Sequence, residues 1–132
     1  MNNINAAIGL EQLKSFPKML TMHQENAQYY LDRLKNIPGI SLPKIPAHVS
    51  PAWWVFMLFA ERRDDLSKKL LEHGISSSLL HVRNDIYECF KESKFDLPNV
   101  TRFQDSMLCI PCGWWVSKSD RSYIVKVIRE GW

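Results

Sequence analysis

Apolar residues return at steps of three and four through the first quarter of the chain: Ile4, Ala7, Ile8, Leu10, Leu13 and Phe16, then Met19, Leu20, Ala27, Tyr30, Leu31 and Leu34. That period marks an amphipathic helix with one apolar face. Pro17 interrupts it. A proline has no backbone N–H and steers the residue before it out of the helical region. The pattern therefore predicts a helical arm over residues 1–37 that kinks or restarts with Pro17 in a first turn. Pro38 and Gly39 end it. The stripe is longer than the remaining chain can cover, which leaves apolar surface for a partner to bury.

From Gly39 the period shortens. Residues 39–42 read as a short edge strand closed by Pro43, and the prolines at 43, 46 and 51 mark a surface loop. Residues 53–60 are an aromatic and branched run, apolar on both alternating faces, which predicts a central strand with cover on each side. A helix over 64–73 turns Leu66, Leu70 and Leu71 inward and its lysines outward, and Gly74 stops it. Residues 75–80 read as a second core strand whose three serines either admit a close neighbour or face solvent. A short helix over 86–91 carries Tyr87 and Phe90, and a loop fills 92–100. Thr101 is placed to cap a helix ending at 106, residues 107–110 form a third strand, and Ser117 caps a last helix over 118–130 that buries Tyr123, Ile124, Val127 and Ile128. The succession predicts an α/β fold of the two-layer, α+β-like kind: a small mixed sheet of three to four strands covered by helices mainly on one face, with a long kinked N-terminal helical arm. All 132 residues then form a single domain, with the arm at 1–37 and the sandwich at 38–132.

Composition and charge add mainly exclusions. The formal net charge is +3. Arg62, Arg63, Lys68 and Lys69 alternate with Glu61, Asp64, Asp65 and Glu72, the pattern of a wet helix face, so no nucleic acid partner is expected. Three cysteines, an odd number, argue against a disulfide framework and for a reducing compartment. No apolar run reaches the ~20 residues of a membrane span, and no basic leader with an apolar segment and cleavage site is recognisable. A cytoplasmic protein with no membrane partner is expected.

Two stretches carry candidate chemistry. The run His81-Val82-Arg83-Asn84-Asp85 follows a predicted strand, and polar residues at strand ends commonly face a cleft. Arg83 has the planar fork that pairs both oxygens of a carboxylate or phosphate. The alternative is a local network, in which Asp85 caps the next helix and pairs with Arg83. Cys109-Ile110-Pro111-Cys112 has the spacing of a dithiol pair. A redox pair normally stands at a helix N-terminus, whereas Gly113-Trp114-Trp115-Val116 intervenes before the last helix. A structural zinc needs four ligands, and no second tight pair is present. Trp114 and Trp115 are placed to wall a ligand cleft or bury a domain contact.

The opening Met1-Asn-Asn-Ile-Asn-Ala-Ala-Ile-Gly-Leu-Glu-Gln-Leu13 resembles the segment by which sugar aminotransferases of the DegT/DnrJ/StrS group pass from their large, cofactor-bearing domain into a small C-terminal domain. The strand over 54–59, the Glu61-Arg-Arg-Asp-Asp-Leu66 helix start, the Gly74-Ile75 turn and Leu108-Cys-Ile-Pro111 are similar to that small domain as well. The resemblance implies the C-terminal domain of a fold-type I aminotransferase that uses pyridoxal phosphate to move an amino group from an amino-acid donor to a ketosugar, nucleotide-sugar or cyclitol. It implies that the Schiff-base lysine and the cofactor contacts lie in a missing N-terminal domain or partner chain. No catalytic, cofactor-binding or metal residue is then assigned in this chain, which alone is expected to bind no cofactor and to be inactive. The resemblance gives His81, Arg83 and Asn84 a substrate-binding role, although the family's common Pro-x-His is replaced by Leu80-His81-Val82-Arg83. It also implies a homodimer. Two other classes remain open: a non-catalytic interaction or dimerisation module, and a thiol-redox module through Cys109 and Cys112.

Overall fold

The computed structural model describes residues 2–93 and 95–132, apart from the side chains at 91 and 93; Met1, the predicted first residue of the arm, lies outside the described residues. The arm is two helices, α1 (Asn3–Leu13) and α2 (Phe16–Leu34). Asn2 caps α1 by accepting from the Asn5 N–H at 2.9 Å, and Pro17 lies in the first turn of α2. The chain thus restarts where proline removes a donor that a helix start leaves free anyway.

Three strands follow in spatial order: β1 (Ile40–Ser41), β2 (Phe56–Ala60) and β3 (Met107–Ile110). β2 is central, as its two apolar faces predict. Both its pairings are antiparallel, Ile40 facing Ala60 and Phe56 facing Ile110, so within the expected two-layer α/β class the sheet is antiparallel rather than mixed. Phe56, Leu58 and Ala60 alternate onto one face with Leu108 and Ile110. There they meet Tyr30 and Leu34 of α2, Leu66 and Leu70 of α3 (Arg63–Glu72), and Ile124, Val127 and Ile128 of α5 (Lys118–Arg129) in one apolar core. The Tyr30 hydroxyl donates to the Pro111 carbonyl at 2.9 Å, which satisfies the polar end of a buried ring. The opposite face carries Phe59, packed edge-on against Phe103 of α4 (Pro98–Ser106) at 5.5 Å between centroids.

Several local expectations give way to specific physics. Residues 75–80 form no strand: only Ser78 exchanges its backbone N–H and C=O with Cys109, at 3.0 and 2.9 Å. Ile75 is already committed, because its N–H closes on the Leu70 carbonyl at 2.8 Å while Gly74, at φ +72°, bonds Leu71. That is a Schellman ending with Ile75 as its apolar contact. Leu71 is 71% exposed, since consecutive leucines point about 100° apart on a helix and Leu70 takes the core position. The strand predicted from 53 begins at Phe56, after Trp53 turns the chain at φ +53°. Thr101 lies inside α4, because Pro98 starts that helix earlier. The helix expected over 86–91 is two 3-10 turns, Asn84–Ile86 and Glu88–Ser93. Tyr123 is exposed, its hydroxyl 3.2 Å from Nδ1 of His73, and Val125 is buried instead.

Candidate functional site

The His81–Asp85 run and the tryptophans lie at opposite ends of β3. The chain reaches His81 running antiparallel to β3, from the Ser78–Cys109 bridge towards Met107, whereas Trp114 and Trp115 follow the Ile110 end. Arg83 does not extend freely into a cleft. Its Nε and Nη2 donate to the two carboxylate oxygens of Asp85 at 2.5 and 2.6 Å, and Nη1 donates to the Thr101 hydroxyl at 2.7 Å. The bidentate carboxylate raises the guanidinium's proton affinity further above its ordinary value. Arg83 therefore ties the 3-10 segment to α4. His81 and Asn84 are exposed and make no side-chain hydrogen bond among the described residues.

Beside this network, between α4 and the β1–β2 edge, runs an open groove of ≈ 940 Å³. Phe59 and Phe103 form its apolar floor; Glu61, Thr101, Arg102 and Asp105 stand around it. The groove can hold a ligand carrying both apolar and charged parts, and among the described residues that line it no nucleophile is paired with a base.

At the other end of β3 a tight turn is fastened to α2. The buried side chain of Asn26 donates to the carbonyls of Gly113 and Val116, each at 3.1 Å, and accepts from Nη1 of Arg121 at 2.9 Å. His23 sits one turn earlier, its Nδ1 2.8 Å from the Trp53 carbonyl and its ring edge-on to Trp115 at 6.2 Å. Sequence reasoning assigned nothing to His23, Asn26 or Arg121. The available signal was two polar residues, His23 and Asn26, on the stripe that ends at Tyr30 and Leu34.

The cysteines of the Cys-x-x-Cys run face different surroundings. Cys112 lies in the main core and donates to the His23 carbonyl at 3.6 Å, whereas Cys109 sits on the other face of β3 beside the Met107 sulfur at 3.9 Å. Burial pushes the Cys112 thiol up to about 12 and raises that of Cys109. A reactive dithiol needs the opposite, a lowered thiol pKa and adjacent sulfurs. Among the described residues no cluster of three or more His, Cys, Asp or Glu side chains could hold a metal.

Lysines at 14, 18, 35, 44, 68, 118 and 126 are exposed. The Lys69 ammonium is engaged by the Gly131 carbonyl. No described lysine stands in a cleft with groups that could hold a pyridine ring and a phosphate, so these residues do not by themselves fit a pyridoxal phosphate site.

Comparison with known proteins gives a consistent picture. The family model for the DegT/DnrJ/EryC1/StrS aminotransferase family matches residues 1–129. The crystal structure of the sugar aminotransferase CalS13 from Micromonospora echinospora superposes on 100% of this chain with a TM-score of 0.97 and 35% identity, and this chain covers 36% of it. The erythromycin biosynthesis sensory transduction protein EryC1 of Saccharopolyspora erythraea is 24% identical over 136 residues, 99% of this chain and 37% of its own. A dTDP-3-amino-3,4,6-trideoxy-alpha-D-glucose transaminase of Streptomyces venezuelae is 28% identical over 109 residues, 79% of this chain and 28% of its own. The chain thus spans little more than a third of the length of the relatives it matches. It belongs to the DegT/DnrJ/EryC1/StrS aminotransferase family.

Proposed function

We propose that this chain is the C-terminal domain of a pyridoxal-phosphate-dependent sugar aminotransferase, and that it supplies contacts to the substrate cleft and to other parts of the assembly while the cofactor and its lysine are held elsewhere. The observation that carries the reading is the superposition of the whole chain, at a TM-score of 0.97, on 36% of a sugar aminotransferase. Pyridoxal phosphate, where bound, supplies the electron sink for moving an amino group. This chain's own part is to bind and orient. His81 and Asn84, exposed beside the α4 groove, are the residues we assign to substrate contact, with Arg83 holding that segment in place through Asp85 and Thr101. A nucleotide-linked or free ketosugar is the acceptor we favour, and the cytoplasm is the compartment that buried, reduced cysteines suit.

The exposed stripe of α1 supports a second part of the reading. None of α1 is buried, and Ile4, Ile8, Leu10 and Leu13 all stand open to solvent, more apolar surface than a soluble monomer ordinarily shows. We assign it to the cofactor-bearing part and to a second subunit, in a two-fold dimer. A tagged version of this chain should capture the complementing two-thirds of a homologous sugar aminotransferase expressed separately. Sedimentation should show self-association at tens of micromolar, lost in Ile8→Glu/Leu13→Glu without loss of circular dichroism. A monomeric wild type that captures nothing would overturn the assignment.

A further inference from the structure

The turn over residues 113–116 displays two open indoles on a fixed backbone. Gly113 is needed there, because any side chain it carried would collide with ring carbons of Trp115. Trp114 flanks that ring at 84° with centroids 5.9 Å apart, and His23 flanks it at 89° and 6.2 Å. The buried Asn26 amide donates to the Gly113 and Val116 carbonyls, and Arg121 holds the Asn26 oxygen. Trp115 is nonetheless 62% exposed and Trp114 48%. An aromatic ring already fixed at its base loses little freedom when a partner closes over it, and tryptophans so placed recur at the centres of protein–protein contacts.

We propose that this tryptophan turn is the docking anchor for the cofactor-bearing remainder of the enzyme. The assignment rests on the sugar aminotransferase reading, because its partner comes from the length of the relatives: all of this chain superposes on 36% of CalS13, and the larger part of such an enzyme closes against some of this surface. Position selects the turn. His23, which Trp115 meets edge-on, lies seven residues after Phe16, two turns along α2 and on the same face. Phe16 is 48% exposed and follows directly on the open α1 stripe that ends at Leu13. Leu13, Phe16, His23 and Trp115 thus continue, onto the body of the domain, the surface already assigned to that part. The substrate end at His81 and Asn84 stays free of this contact, yet β3 is only four residues long, about 13 Å, so a body larger than this chain reaches both ends.

The test is calorimetric titration of the full chain with CalS13 lacking its own counterpart of this chain, both components being shown folded by circular dichroism. Saturable binding of the wild type is expected, weakened about 30-fold or more in Trp115→Ala, with Trp115→Phe retaining part of the affinity. Gly113→Ala, which displaces the ring without removing it, should also weaken binding, while far-ultraviolet circular dichroism and self-association in sedimentation stay as in the wild type for each variant. Wild-type affinity in folded Trp115→Ala would overturn the proposal and leave the aminotransferase reading standing. Loss of self-association in Trp115→Ala with binding intact would put a second copy at the turn and overturn it as well. A wild-type chain that binds nothing would overturn both the proposal and the reading beneath it.

Discussion

Asn26 is 3% exposed and serves three partners that no water can replace. Removing one side of a buried hydrogen bond leaves the other unsatisfied at about 1–3 kcal/mol, so Asn26→Ala should destabilise the chain by at least that amount in urea unfolding. A loss below about 0.5 kcal/mol would mean that the Gly113–Val116 turn is held by its own packing. The buried thiols give a second test at this scale. At pH 8, iodoacetamide should label exposed Cys89 in the folded chain and spare Cys109 and Cys112; an intramolecular disulfide between the latter pair would restore the redox reading. The sign with pH follows from burial: the folded Cys112 thiol, raised to about 12, contributes stability that is full below its unfolded value and is lost as pH rises towards 12. At this scale the pattern identified the centre of the core well, because Tyr30, Leu34, Leu66, Leu70 and Ile128 recur at helical spacing. Leu71 and Tyr123 were misread, since spacing alone does not say which of two adjacent leucines faces inward or that a tyrosine hydroxyl prefers the rim.

Among the elements, α5 carries the clearest local signal. Ser117 accepts from the Asp120 N–H at 3.1 Å while Asp120 accepts from the Ser117 N–H at 3.0 Å, a full capping box. Ser117→Ala should cost about 1 kcal/mol of stability, measured by thermal or urea unfolding; no change would mean that core packing alone fixes the helix start. The two hydrogen bonds from Ser117 lower the Asp120 pKa. Its contribution is therefore present above the unfolded carboxylate value and lost as pH falls through the lower, folded one. An acid titration of Asp120→Asn should lack that part of the stability loss. Helices were legible because caps and prolines are written locally, as at Ser117 and Pro17. The 75–80 segment was not, because a short run between the helix-ending Gly74 and a polar cluster reads like a strand while Ile75 is used to close α3 and the serines bring no apolar surface to a sheet. The cleft was legible only as a polar run; that Arg83 is engaged by Asp85 and Thr101, eighteen residues from the latter, depends on where α4 packs.

For the whole molecule, the antiparallel sheet and its helical cover close a core using α2, α3 and α5, while α1 stands outside it with an uncovered apolar face. That asymmetry fits a chain that spans little more than a third of the length of its relatives. No helix among the described residues is long and apolar enough to cross a membrane. The central claim is that this chain completes a sugar aminotransferase without holding its cofactor. The most direct measurement is borohydride reduction of the chain with pyridoxal phosphate, alone and mixed with the complementing part of a homologous enzyme, followed by peptide mass spectrometry. The account predicts a stoichiometric cofactor adduct on one lysine of the complementing part and none on this chain in either sample. A stoichiometric adduct on a specific lysine of this chain alone would contradict it.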